Sequence, residues 1–347
     1  MEGISLEELQ LAARNHGMPL EALRFPVTPV GLHYLLIHYD VPVVDAEEWR
    51  LTVSGGRELT FGLDELRARP TVDVTATMEC AGNGRARLDP RPVSQPWLLE
   101  AVGNARWTGI PLRPLLQEAG IPETTVEVLF TGLDRGVEAE EEQRFQRSLA
   151  LQDALRGDVI LAYEMNGAPL PPQHGFPLRL LVPGWYGMTN VKWLDRIELL
   201  DAAFGGYQQA WAYHLRQAED EQGEPLQWMR PRSLLVPPGI PEFMTRERLL
   251  PAGGCLVEGR AWSGLAPVAG VQVSDDGGET WGDAELEPEE GRWAWRGWSF
   301  HWDARPGDYL LCSRARDEAG NEQPVEPAWN LGGYANNAVQ TVRVVVT

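Results

Sequence analysis

Cys80 stands in TATMECAGNGR, where a β-favouring run meets a turn rich in glycine. Val72, Val74, Thr75 and Thr77 favour a strand, while Gly82, Asn83 and Gly84 tolerate positive φ. The thiol therefore sits where a strand ends and a tight loop begins, with Arg85 and Arg87 just beyond. The other two cysteines have a blander setting. Cys255 and Cys312 lie in strand-like runs, CLVEGRAW and YLLCSRA, and are expected as reduced core residues that could face each other inside a sandwich. Three cysteines cannot all pair, and no CxxC exists for zinc binding or redox exchange.

A second stretch, YEMNGAPLPPQHGFPLRLLVPGWYGMTNVKW, carries His174, Arg179 and Lys192 on loops bounded by glycine and proline. Three converging donors suit a phosphate or an oxygen-rich cofactor. Lys192 is the single lysine among 30 basic residues. A compact ammonium serves better than a planar fork as a point charge toward phosphate or ring oxygens. A third stretch, VGNARWTGIPLRPLLQEAG, reads as a turn leading into a helix, its Trp107 being either core or cofactor cover.

Positioning these groups takes more than one core. A chain of 347 residues suggests two domains. Between 41 and 235, short β-rich runs (WRLTVSG, DVTATME, VEVLFTG, LRLLVPG, RIELL) mix irregularly with helical patterns in LTFGLDELRAR and PLRPLLQEAG. That mixture predicts an α+β domain with mixed sheets rather than a doubly wound parallel sheet. Residues 215 to 250 have the composition of a linker or wrapping loop. Regular short strands follow, with turn signals between them, and predict an immunoglobulin-like β-sandwich. The expected division is a domain at 1–235, including an N-terminal extension at 1–33, and a sandwich at 236–347. Seven of the 14 tryptophans fall in the sandwich, and such aromatic excess points to a protein interface, most simply a homodimer.

With 43% hydrophobic and 23% charged residues, the composition is that of an ordinary globular protein. A net charge of -20 argues against nucleic acid and anionic membranes as partners. It does not forbid a small anionic substrate, because exposed charges are screened beyond about 8 Å. The opening MEGISLEELQLAARNHG reads as a short amphipathic acidic helix without a signal peptide's basic and apolar regions. The expectation is a cytoplasmic protein, or a periplasmic one if a leader was removed.

Taken in order, TATMECAGNGR, ARWTGIPLRPLL, LAYEMNGAPLPPQHGFPLRLLVPGWYGMTNVKWL, AWSG, VSDDGGETW and PAWNL resemble the signatures of the sulfite oxidase family of molybdenum enzymes, over roughly residues 34 to 347. The resemblance implies a molybdopterin-binding α+β domain followed by an Ig-like dimerisation domain. It makes Cys80 the thiolate on molybdenum and gives His174, Arg179 and Lys192 to the pterin and its phosphate. It places Asp134 and Asn190 near the cofactor, and Arg85 and Tyr213 at the substrate. No heme or flavin is implied within this chain, so electrons from the substrate would leave to a separate acceptor.

The substrate side departs from the family. The family's Arg-Asn-His ahead of Pro-Val aligns with His38, Tyr39 and Asp40, and no arginine occurs between Arg24 and Arg50. The arginine of the family's late Asn-Leu-Arg-Gly is replaced by Gly332. Losing two charge-assisted contacts of about 1.5 to 3 kcal/mol each would weaken anion binding by on the order of a hundredfold or more, unless His38, Arg87 or Arg91 compensates. The expectation is sulfite oxidation. Reduction of an S-oxide, N-oxide or nitrate with the same cofactor is the alternative, and a cofactor-free binding protein a distant third.

Overall fold

The computed structural model describes residues 3–347. Helix α1 (Leu6–Arg14) opens the chain and begins with a capping box, in which Ser5 and Glu8 each bond the other's backbone N–H. Ten strands follow: β1 (Leu51–Ser54), β2 (Glu58–Phe61), β3 (Val72–Glu79), β4 (Val102–Pro111), β5 (Glu127–Glu138), β6 (Glu141–Ala150), β7 (Ile160–Met165), β8 (Ala168–Pro169), β9 (Arg179–Leu181) and β10 (Leu194–Leu200).

They form two sheets. One runs β2-β1-β10-β5-β6, with β1 and β10 parallel and the remaining pairs antiparallel. The other runs β3-β4-β7-β8, with β9 also pairing with β7. The mixed sheets arise because several connections are too short for parallel crossovers. Strand β7, ILAYEM, is buried on both faces and reads as a nearly continuous apolar run. The helix Leu112–Ala119 buries Leu112, Leu115, Leu116 and Ala119 at three- and four-residue spacing.

The second domain packs a four-stranded sheet against a six-stranded one. Its first strand, Arg232–Leu235, pairs with Gly253–Trp262, so part of the segment with linker composition belongs to the sandwich. Ile240–Pro241 and Arg248–Leu250 are likewise strands of the larger sheet. The stretch from 102 is also more regular than a turn: β4 is ten residues long before its helix begins. The reason is its central place between β3 and β7, which overrides its glycines.

Aromatic residues of the sandwich turn inward. Trp262, Trp295, Trp298 and Trp302 are buried. Trp298 and Trp302 fill the sandwich core, whereas Trp262 and Trp295 belong to the core shared with the first domain. Four of the seven tryptophans thus serve packing within the chain, and Trp281, Trp293 and Trp329 are half-buried. Cys312 is buried and Cys255 half-buried; all three cysteines are free. Among the described residues, no helix is long and apolar enough to cross a membrane.

Candidate active site

Cys80 follows the last residue of β3, and its thiol lies in the wall between two cavities. Its loop is held from several sides. The Cys80 N–H donates to Ala101 O at 2.9 Å. Asn83 donates to Glu79 Oε1 (3.0 Å) and Leu99 O (3.1 Å) and accepts from Ala101 N (3.1 Å). Gly84 adopts φ of 89°, a left-handed conformation that glycine tolerates without strain. Its carbonyl accepts from Asn336 Nδ2 at 2.8 Å, and Ala81 O accepts from Ala335 N at 2.8 Å, both from the sandwich domain. Beneath the loop, buried Glu79 receives Arg232 Nη1 at 2.5 Å and Trp262 Nε1 at 2.9 Å. Burial raises the Cys80 thiol's pKa, opposed in part by the Gly82 N–H and the Arg85 charge. A thiolate at this position therefore needs a bound cation.

The inner cavity is lined by His33, Asp134, His174, Arg179, Asn190 and Lys192 together with Cys80. Arg179, on β9, donates to His174 O (3.0 Å) and Asn190 O (3.1 Å) and lies 4.8 Å over the Trp107 ring. Lys192 Nζ donates to Leu36 O (2.8 Å) and Gln173 O (3.1 Å). The Asn190 amide is occupied by backbone, accepting from Val182 N at 2.7 Å. His33 packs edge-on to His174, with centroids 5.6 Å apart, and to Trp107 at 6.2 Å. Gly103 on β4 leaves its ring room, since a Cβ there would overlap it.

Burial lowers His33 to about 4, Arg179 to about 10, and His174 still further, with Arg179 and Lys192 adding repulsion at His174. It also raises the Asp134 carboxyl and lowers the Lys192 ammonium, and each charge partly relieves the other. Several buried polar atoms here have no partner: His33 Nε2, Arg179 Nε and Asp134 Oδ1. Buried groups of this kind are normally satisfied. A ligand with phosphate and ring heteroatoms would satisfy them, and its negative charge would offset the desolvation of Arg179 and Lys192. The chemistry of the cavity fits a molybdopterin.

The outer pocket shares Cys80, His38 and Tyr213 with the inner one and adds Arg14, Tyr39, Arg85, Gln95, Trp97, Glu138, Gln208 and Tyr334. Arg85 is buried; its Nε donates to Gly332 O at 2.8 Å, and its guanidinium lies 4.9 Å over the Tyr334 ring. A side chain at Gly332 would overlap the Tyr334 ring. His38 does not point freely into the pocket. Its Nε2 lies 3.1 Å from Glu138 Oε2, which also accepts from Tyr39 Oη (2.8 Å) and from Gln208 Nε2. Burial pushes the Glu138 carboxyl up, but these bonds prevail and hold it below the ordinary range.

Gln208 opens and Tyr213 follows a π-helical turn, Gln208–Ala212, the kind of irregularity often found at functional sites. Buried Arg147 bonds the Gln208 carbonyl and lies 5.5 Å over the Tyr213 ring. Tyr213 packs against Tyr334 at 5.4 Å.

The structure thus brings Cys80, His174, Arg179, Lys192, Asn190 and Asp134 to one cavity, and Arg85, His38 and Tyr213 to the adjoining pocket. Arg91 is paired with Glu8, and Arg87 lines neither cavity. Sequence reasoning missed His33, Glu138, Gln208 and Tyr334. The repeated His-Tyr of HYLLIHYD was a signal for His33: Asp40, aligned with the family's cofactor histidine, lines neither cavity.

A two-domain molybdopterin oxidoreductase is what this fold and cavity define. Residues 38–208 match the oxidoreductase molybdopterin binding domain and residues 230–347 the Mo-co oxidoreductase dimerisation domain. The chain is 37% identical to sulfite oxidase of Gallus gallus, covering 92% of this chain and 73% of that protein. It belongs to the sulfite oxidase family.

It is 35% identical to mitochondrial sulfite oxidase of Rattus norvegicus over 92% of this chain, but spans only 62% of that relative's length. Nitrate reductase [NAD(P)H] of Hordeum vulgare is similarly related, at 34% identity over 92% of this chain and 39% of the relative. The sulfane dehydrogenase SoxCD from Paracoccus pantotrophus has the same fold, with a TM-score of 0.81 and 28% identity, covering 94% of this chain and 82% of that one.

Proposed function

We propose that the chain oxidises sulfite to sulfate in the pocket beside Cys80. The observation that carries this reading is the shared wall: Cys80, with His38 and Tyr213, lines both a donor-rich cofactor cavity and a pocket holding Arg85, a guanidinium with no carboxylate partner. His33, His174, Arg179 and Lys192 would hold the pterin and its phosphate, with Asp134 and Asn190 alongside, and Cys80 would bind the metal as thiolate, a soft donor for a metal that also has sulfur ligands. Bound there, a molybdenum cofactor supplies two-electron oxygen-atom transfer. Overall, sulfite and water give sulfate, two protons and two electrons, and the electrons leave to a separate acceptor.

Arg85 is fixed by Gly332 O, by Gln95 O at 3.4 Å from Nη1 and by the Tyr334 ring, which leaves Nη2 for a substrate oxygen. Burial raises the Tyr213 phenol well above its usual range, so it is a neutral donor at pH 7 that orients the anion and assists proton movement. His38, tied to Glu138, shapes the pocket's rim. The dimerisation-domain match supports a homodimer built through the sandwich.

The Glu138 carboxylate in the pocket favours a second reading, in which the same cofactor reduces a neutral S-oxide or N-oxide, and the similarity to a nitrate reductase adds nitrate reduction. Titrating sulfite into molybdenum-loaded protein without an acceptor separates the two. Bleaching of the visible thiolate-to-molybdenum absorption at low sulfite is the expected result. No bleaching, in a sample that dithionite does bleach, would overturn sulfite as the substrate.

A further inference from the structure

We propose that Arg14, on the N-terminal helix, is the second guanidinium of the substrate pocket and replaces the contact that the chain lacks at position 38. The inference rests on the reading of that pocket as an oxyanion site. Helix α1 precedes the segment matched by the family, yet Leu11, Arg14 and Asn15 line the pocket together with Cys80 and Arg85.

The helix is fastened at both ends. At its start Glu8, buried beneath the Ser5 cap, pairs with Arg91 of the loop after Cys80. At its end Asn15 donates to Gln95 Oε1 at 2.9 Å and accepts from Ile37 N at 2.6 Å. His16 and Leu35 then exchange backbone bonds of 3.1 and 2.8 Å. The register of Arg14 against residues 35–38 is thereby set, and its Nη2 reaches His38 O at 3.4 Å.

Neither Arg14 nor Arg85 pairs with a carboxylate among the described residues. The one carboxylate lining the pocket, Glu138, already receives three donors on Oε2. Two guanidiniums that line the same pocket as Cys80, each hydrogen-bonded only to backbone carbonyls and keeping N–H groups to spare, make a clamp for a tetrahedral or pyramidal oxyanion. An arginine at a helix C-terminus is also favoured by the helix dipole alone. That bland role needs no pocket and predicts no effect on anion binding.

The test is calorimetric titration of sulfate, a non-reacting oxyanion, into molybdenum-loaded wild type, Arg14→Ala, Arg14→Lys and Arg85→Ala at low and moderate salt. Arg14→Ala is expected to weaken sulfate binding about tenfold to a hundredfold, with Arg14→Lys between it and wild type. The salt dependence should be shallower in Arg14→Ala. In sulfite turnover, KM should rise by a similar factor with kcat nearly unchanged. Equal sulfate binding by Arg14→Ala and wild type, with loss in Arg85→Ala, would overturn the role of Arg14 and leave the oxyanion pocket standing. Absence of sulfate binding by wild type at millimolar concentrations would overturn both. Arg14-dependent sulfate binding without sulfite turnover would support Arg14 and overturn the reaction.

Discussion

The two cavities that meet at Cys80 are built by opposite rules. Donors of the inner one come from β9 and the loops around it, within residues 174 to 192, joined by His33 and by Asp134 of β5. All but the half-buried Lys192 are buried, and several carry unpartnered atoms. The outer pocket is gathered from α1, the 37–39 segment, the loop after Cys80, the end of β5, a π-helical turn and the 330–337 loop of the sandwich. Its polar atoms mostly satisfy one another. The contrast teaches that a cavity for a fixed, highly charged ligand is set by compact local framework. A pocket that selects a substrate is assembled from chain ends and turns, where a residue can be exchanged without disturbing a sheet.

Breaking the shared wall should have the largest effect. Cys80→Ser removes the soft ligand, and turnover should fall on the order of a thousandfold or more while pterin, measured after release and oxidation, is retained. Wild-type rates would dissolve the distinction between the cavities. Next comes the inner side. Lys192→Ala should lower cofactor retention about tenfold to a hundredfold, by analogy with supporting ligands at metal sites, with molybdenum content after gel filtration as the readout.

A smaller effect sharpens the outer side. Glu138→Gln removes a carboxylate from the pocket and should tighten sulfate binding a few-fold, about what one screened charge contributes. Weaker binding would mean that Glu138 acts mainly by holding His38 and Tyr39. The smallest effect concerns the helix that delivers Arg14. The Ser5 N–H and Arg91 hold the Glu8 carboxyl below its ordinary value, outweighing its burial. Its stabilising contribution is therefore complete above the unfolded value of about 4.3 and is lost as pH falls through the lower folded value. Acid unfolding of Glu8→Gln should show less stability loss below about pH 4.3 than wild type, measured by urea midpoints across that range.

How much of this was legible in the sequence follows from the same contrast. Strands β1, β3, β5, β9 and β10 and the helices Leu63–Arg67 and Leu112–Ala119 declared themselves in the sequence, whereas β2, β6, β7 and β8 did not. The approach of His174, Arg179 and Lys192 followed from unusual residue types at chain turns, and Cys80 joined them only through the family resemblance. Strand β4 did not show, because its glycines serve packing, Gly103 making room for His33. Glu138 and Gln208 are 70 positions apart and meet only through the β5–β6 hairpin and a π-helical turn, which no local pattern announces. Arg14 was hidden more simply, since an exposed arginine on an amphipathic helix looks like solubility. The tryptophan excess pointed to a homodimer, which the dimerisation-domain match supports, although four of the seven tryptophans serve the two cores.

The ion pair under the cysteine loop has a consequence for building chimeras. Glu79 belongs to the molybdopterin segment, but the groups that neutralise and bond it, Arg232 and Trp262, belong to the dimerisation segment. A hybrid that takes its sandwich from a relative must carry an arginine and an indole at those two places. Without them the buried Glu79 carboxylate keeps only Asn83 as a partner and no counter-charge, and losing one partner of such a pair costs about 3 to 5 kcal/mol. The two segments can be recognised separately by sequence, yet they are not interchangeable parts.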